Sequence, residues 1–199
     1  MLYNGTDFKE YRFPDKVSKT IHYKERRVRR LQSIMDKKMS INEVLYDRKL
    51  IPSKYTKNYE KVRRKFRKVH QEIVNIKMNW IYNTCKEIVT SYQVICVDTF
   101  KQPDNRELDL LPNRLKHQVN YSNRFHRMSI FNRVLPYMAN KYGCYYIKAP
   151  EKTTCICSKC GHDNGPISLE DREIVCKNKK CRTVIDRDHN AAKNCYMYI

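Results

Sequence analysis

Apolar side chains at Val62, Phe66, Val69, Ile73, Ile76 and Trp80 recur in steps of four, three, four, three and four residues. Alternating steps of that kind keep one stripe facing a partner, as in the a/d seam of a coiled coil. The pattern predicts a continuous helix from about residue 56 to 90, roughly 50 Å long at ~1.5 Å per residue, with Thr56 as its N-cap. Upstream, Val28, Leu31 and Ile34 form a shorter stripe in a helix from about Lys19 to Met39. A polar linker with Pro52 near its end separates the two, and an antiparallel helical hairpin follows. Residues 2–13 read as a short β-hairpin turning at Asn4-Gly5, and Pro14 breaks it.

The period changes at Val94. Residues 94–100 are nearly continuously apolar, the pattern of a strand buried on both faces, with Asp98 near its C-terminal end. A polar loop with Pro103 and Pro112 leads to a helix over 122–142 that turns Phe125, Met128, Phe131, Leu135, Met138 and Tyr142 inward. Pro136 should kink or split it, and Gly143 is a natural C-cap. Residues 144–147 read as another strand, residues 151–185 as a small metal-binding segment, and Asp188 to Tyr198 as a final helix. The class is mixed α/β.

Charge sharpens this picture. The 199 residues carry 41 Lys+Arg against 21 Asp+Glu, a formal +20, while 41% hydrophobic content leaves enough for a core. Residues 1–80 hold 22 Lys+Arg and 9 Asp+Glu, a net of +13, so most of the excess lies on the hairpin. Arg26, Arg27, Arg29 and Arg30 on the first helix, with Arg63, Arg64, Lys65, Arg67 and Lys68 on the second, are candidate phosphate contacts. A solvated helix face or a ribosomal-type basic surface is the plainer alternative. No window approaches the ~18 apolar residues of a membrane span, and Met1–Phe13 lacks the basic-then-apolar order of a signal peptide. An intracellular, reducing compartment, cytoplasm or nucleus, is therefore expected, with the nine cysteines as metal ligands or buried thiols.

Cys157 and Cys160 enclose two residues, Cys176 and Cys181 enclose four, and fifteen separate the pairs. Zinc takes four thiolates at tetrahedral angles, and paired knuckles supply them. The spacing suits a hairpin with one knuckle at each base. Cys155 competes with Cys157 for a place in the set, whereas Cys85, Cys96, Cys144 and Cys195 sit in apolar or helical contexts and read as packing residues. Directly after the quartet comes Asp186-Arg187-Asp188-His189-Asn190-Ala191-Ala192. By pattern alone its carboxylates are capping groups of a helix.

The basic hairpin, the strand 94–100, the run Thr154-Cys-Ile-Cys-Ser-Lys-Cys-Gly161, the second cysteine pair and the segment 186–192 occur in this order. In this succession the chain resembles the TnpB proteins of insertion sequences (the OrfB transposase-like family), relatives of the miniature type V CRISPR effectors. The resemblance implies an incomplete RNase H-like (RuvC) core over 1–150 carrying the basic helical hairpin at about 19–90. A zinc ribbon would be inserted at 151–185, and the last RuvC segment and C-terminal helix would follow at 186–199. It further implies a DNA endonuclease that uses two Mg²⁺ ions on three carboxylates and takes its target from a guide RNA. Asp98 falls on the second carboxylate, Asp188 on the third, and Cys157, Cys160, Cys176 and Cys181 on structural Zn²⁺.

Three departures modify that expectation. The family's opening strand, with its Gly-Ile-Asp-Leu-Gly type motif and first carboxylate, has no counterpart here. Asp98 stands where the family carries Glu, and a carboxylate withdrawn by ~1 Å can lose ~10²-fold in rate. Cys176 and Cys181 with Arg182 replace Cys-x2-Cys-Gly. The expectation is an N-terminally truncated protein that binds zinc, DNA and guide RNA but is not a competent nuclease alone. Its rivals are an enzyme completed by an upstream protein fragment, a nuclease-dead regulator acting by occupancy, and a basic zinc-ribbon protein of ribosomal or transcriptional type.

Overall fold

The heptad stripes form two long helices, α1 over Asp15–Asp47 and α2 over Lys57–Ser91. The computed structural model describes residues 1–98, 112–114, 116–118, 120, 128–150, 152–168 and 171–199. Two units divide it, Phe13–Tyr82 in one and Met1–Arg12 with Asn83–Ile199 in the other.

In the first unit, Pro14 precedes α1 and accepts the Ser18 N–H at 2.9 Å. The helix overruns the expected end at Met39 because no glycine or proline interrupts it, and it stops where Lys49 turns to φ 59° and Leu50 N–H reaches back to the Leu45 carbonyl. The inward stripe also shifts. Met35 is buried and Ile34 is 37% exposed, since the step after Leu31 is four residues rather than three. On α2 the seam holds as expected, with Val69 and Ile73 buried and Val62, Phe66, Ile76 and Trp80 half-buried. Thr56 caps it, its hydroxyl accepting the Tyr59 N–H at 3.4 Å.

Polar contacts set the antiparallel register. Lys24 meets Glu72 at 2.5 Å, Lys77 meets Glu25 at 3.1 Å, and at the tip Asn42 Nδ2 donates to the Lys54 carbonyl (2.8 Å) and the Thr56 hydroxyl (3.2 Å). Lys77 and Asn42 are both buried. A slip of either helix by one turn would strand them without partners, a cost well above the net worth of a surface pair.

Among the described residues the second unit contains three two-stranded sheets. β1 (Leu2–Tyr3) and β2 (Phe8–Lys9) pair antiparallel across a loop of residues 4–7, in which Asn4 Oδ1 accepts the Thr6 and Asp7 N–H groups. β3 (Val94–Val97) and β4 (Tyr145–Lys148) pair parallel, with α3 (Met128–Tyr142) between them in sequence. Ile95 alone of β3 is buried and its neighbours are half-buried. The expected burial on both faces fails because β3 has a single pairing partner among the described residues. Residues 99 and 100 of the expected strand, the loop with Pro103, and Phe125 lie outside the described residues.

Pro136 does not split α3. The carbonyl that loses its donor belongs to Asn132, an exposed residue. Val134, Leu135, Met138 and Ala139 are buried, whereas Tyr142, expected inward, is 41% exposed at the helix end. Gly143 at φ 71° closes the helix, with Cys144 N–H bonding the Ala139 carbonyl at 2.9 Å. β5 (Glu173–Val175) and β6 (Val184–Asp186) form the third, antiparallel pair, and α4 (Arg187–Tyr196) completes the fold. No helix of the described residues is long and apolar enough to cross a membrane.

Candidate metal centre and nucleic-acid interface

Two turns carry the cysteines to one point. Cys157 and Cys160 lie in the turn closed by the Ile156–Asp163 bridge, and Cys176 and Cys181 lie in the connection between β5 and β6. Each knuckle therefore has its own antiparallel pair, not the two bases of one hairpin. The arrangement lets the two turns face each other. The sulfurs of Cys157 and Cys181 are 3.9 Å apart, those of Cys160 and Cys176 3.6 Å, and all four fall within 4.8 Å. A tetrahedral zinc with ~2.3 Å bonds to sulfur requires sulfurs about 3.8 Å apart, so the donor set fits this ion. Cys155 lies outside the cluster, and its carbonyl accepts the Asn164 backbone and side-chain N–H groups, both at 3.0 Å.

The backbone around the sulfurs is matched in the two knuckles. Gly161, following Cys160, has φ 72°, and Arg182, following Cys181, has φ 46°. The same left-handed turn is thus made once by glycine and once by arginine, at a cost of order 1 kcal/mol for the latter. Burial pushes the Cys176 thiol up to about 12, whereas hydrogen bonds from Thr183 hold Cys181 down at about 6.

Buried amides join this centre to α4. Asn190, 1% exposed, donates from Nδ2 to the carbonyls of Ile156 (2.6 Å) and Thr154 (3.2 Å) and accepts the Ser158 N–H at 2.8 Å. One turn on, Asn194 Nδ2 donates to the carbonyls of Thr153 (2.6 Å) and Ile156 (2.7 Å). Asn164 ties the two arms together, bonding Cys155 and accepting the Lys177 N–H at 2.8 Å. An irregular loop carries its own polar backbone into the interior here, and asparagines satisfy it.

The acidic residues divide in role. Asp186 is the N-cap of α4, accepting the Asp188 and His189 N–H groups at 2.9 and 3.0 Å. The His189 bond is the main cause of its carboxyl lying below the usual range. Asp188, in the first turn, pairs with Arg172 at 3.1 Å and lies 3.8 Å from Arg187 Nε. Asp98, just past β3, accepts the Thr153 hydroxyl at 2.7 Å, and its charge bears on Cys195 near the far end of α4. Asp98 and Asp188 thus have separate partners. Among the described residues the cysteine quartet is the one group of three or more potential ligands drawn together.

This centre lies within residues 129–195, which match the family model of the Cas12f1-like TNB domain. TnpB-like protein L79 of Acanthamoeba polyphaga mimivirus is 30% identical over 159 residues, 77% of this chain and 28% of that protein. TnpB-like protein R854 of the same virus gives the same figures. CRISPR-associated DNA-binding protein Cas12m of Pelobacter propionicus is 27% identical over 132 residues, 63% of this chain and 19% of that protein. The chain is a member of the TnpB family. It corresponds to a C-terminal portion and spans 28% of the length of the viral relatives.

In this TnpB-family chain the basic candidates lie on the helical hairpin. Arg26, Arg27, Arg29, Arg30, Arg64, Lys65, Arg67 and Lys68 are exposed. Arg63 is half-buried and held by Glu60 at 2.9 Å, which raises its pKa. The residues absent from the motif reading are Thr153, Asn194 and Arg172. Asn190 and Asn194, four apart in a helix with Ala191 between them, are the one sequence signal that could have exposed the buried amide face.

Proposed function

We propose that this chain is a nucleic-acid-binding protein of the TnpB type, with a structural Zn²⁺ on Cys157, Cys160, Cys176 and Cys181. The single observation that carries this is the convergence of four sulfurs on a turn bonded by Asn190 and Asn194 to the helix that bears Asp188. Zinc would lock the two knuckles and, through those amides, the entry of α4. The exposed arginines and lysines of the hairpin would take up DNA and guide RNA by neutralising phosphates, a binding that weakens steeply with salt.

The chemistry expected of the chain alone is binding, not cleavage. A two-metal phosphodiester hydrolysis would draw on Mg²⁺ held between carboxylates, and Asp98 and Asp188 would be this chain's donors. Each is engaged elsewhere, Asp98 by Thr153 and Asp188 by Arg172. A further carboxylate, such as one from a companion polypeptide, would be required to make the site complete.

The purified full chain tests this. Zinc near one equivalent, with DNA or RNA binding that falls as salt rises and no Mg²⁺-dependent cutting, supports the reading. Cutting that disappears in Asp188→Ala would establish the enzyme reading instead. A chain with neither zinc nor nucleic-acid affinity would sink both.

A further inference from the structure

One face of α1 combines cations with an exposed ring and branched chains in a way that phosphate contact alone does not require. Tyr23, Arg26, Arg27 and Arg30 follow the i, i+3, i+4, i+7 rule and so share a face. With Leu31 they line a shallow cleft of about 430 Å³. Tyr23 is 60% exposed, and on the same face Ile34 and Ile41 are 37% and 59% exposed. The stripe from Tyr23 to Ile41 is about 27 Å long at 1.5 Å per residue.

Its electrostatics are unbalanced by design of the hairpin. Glu25 and Glu72 are committed to Lys77 and Lys24. Arg27 acts on Glu72 only at longer range, and among the described residues none of Arg26, Arg27 and Arg30 makes an ion pair. Three guanidinium groups around a cleft with no carboxylate in its lining fit a phosphodiester, which arginine grips through paired N–H donors. The ring and the two isoleucines decide between kinds of nucleic acid. A duplex presents phosphates and hides its base faces, so it would leave those side chains in water. An unpaired strand offers bases that stack on an aromatic ring at any sequence.

We propose that the Tyr23–Ile41 face of α1 is a docking site for single-stranded nucleic acid, with phosphates on Arg26, Arg27 and Arg30 and an unpaired base on Tyr23. The proposal rests on the nucleic-acid-binding reading above and narrows it to a strand type. The test is fluorescence anisotropy of the full chain with a labelled single-stranded RNA, a single-stranded DNA of the same sequence, and the matching duplex. Tyr23→Ala should weaken single-strand binding about tenfold and leave duplex binding within about twofold, while Tyr23→Phe restores it. The Arg26→Ala/Arg30→Ala double variant should lower the log–log salt slope by about 1.4 for a single strand. An effect on one of RNA and DNA names the strand, and an effect on both marks shared stacking.

Equal losses on single strand and duplex, or no loss, with wild-type binding intact, overturn this proposal alone. A wild-type chain binding no nucleic acid overturns it together with the broader reading. A concentration-dependent dimer dispersed by Tyr23→Ala would place a second copy on the stripe and overturn it as well. Both tyrosine variants alter a mostly exposed side chain, and unchanged circular dichroism separates binding effects from misfolding.

Discussion

The helical hairpin and the cysteine-bearing segment 152–199 are held together by opposite means. Ile21, Met35, Val69 and Ile73 are buried in the hairpin, where repetition of one contact type along ~50 Å of helix supplies the stability. Around the knuckles Ile174 is the buried aliphatic side chain, and the buried set is otherwise Thr153, Asn164, Asn190, Asn194, Cys157, Cys176, Cys195 and Ala191. So small an apolar content cannot offset the ordering of an irregular chain. Hydrogen-bonded amides fix the shape there, and the proposed metal would supply most of the free energy. A periodic pattern yields a robust rod, whereas a handful of single residues yields a precise but fragile corner.

The strongest way to break this contrast is to remove the metal. Chelation, or Cys176→Ser, should abolish hydrogen-exchange protection at 152–199 while leaving the hairpin's protection and most of the helical dichroism. Structural zinc contributes about 10–16 kcal/mol in small finger peptides, far more than β5, β6 and two turns can replace. Persistence of protection in that segment would show a core that the contact pattern does not contain.

Next in size, Ile21→Ala should cost the hairpin about 3 kcal/mol, because Ile21 is fully buried and the cavity has little means to close. Denaturant unfolding followed by helical dichroism would register it, with zinc content unchanged. Asn190→Ala should cost about 2–3 kcal/mol by leaving several polar groups of the 154–158 loop without partners. Its signature is opposite, with weaker zinc retention in a chelator competition and an unaffected hairpin. If both substitutions moved both readouts equally, the division into two kinds of stability would be wrong.

Two smaller effects sharpen the picture. Arg182→Gly should raise the melting temperature of the zinc form, at most about 1 kcal/mol, by relieving the left-handed arginine. Glycine's greater freedom in the unfolded chain offsets part of that gain. Acid should act at Asp186. Its carboxyl is lowered in the folded state, so its contribution is complete above the ordinary value near 3.8 and is lost as pH falls through the folded value. Amide exchange at Asp188 and His189 should rise in that window, and Asp186→Asn, which keeps an acceptor, should flatten the response.

Legibility in the sequence followed the same division. The seam of α2, its Thr56 cap and the Gly143 cap are short-range patterns, and each appears in the structure where the sequence places it, while the two cysteine pairs converge in one cluster. Ile34 and Met35 were exchanged because three- and four-residue steps are equivalent until a partner is present. At Pro136 the expected split is not seen, and α3 runs through it. The grip of Asn190 and Asn194 on Thr153, Thr154 and Ile156 depends on contacts across more than thirty residues. Polar helix residues usually face solvent, so the four-residue spacing of Asn190 and Asn194 is a weak local sign that they are interior. Arg172 was invisible, since its partner Asp188 lies beyond the whole second knuckle.

β6 ends on Asp186 and α4 begins on Arg187, with the same carboxylate finishing the strand and capping the helix. That seam has no slack. Lengthening it by even one residue would rotate every side chain of α4 by about 100° and turn Asn190 and Asn194 away from the carbonyls they serve. Divergent copies of this segment should therefore vary in length elsewhere, as at the exposed Pro166 between the knuckles. A reporter or affinity tag spliced into this half of the protein belongs there as well, never at the strand-to-helix junction.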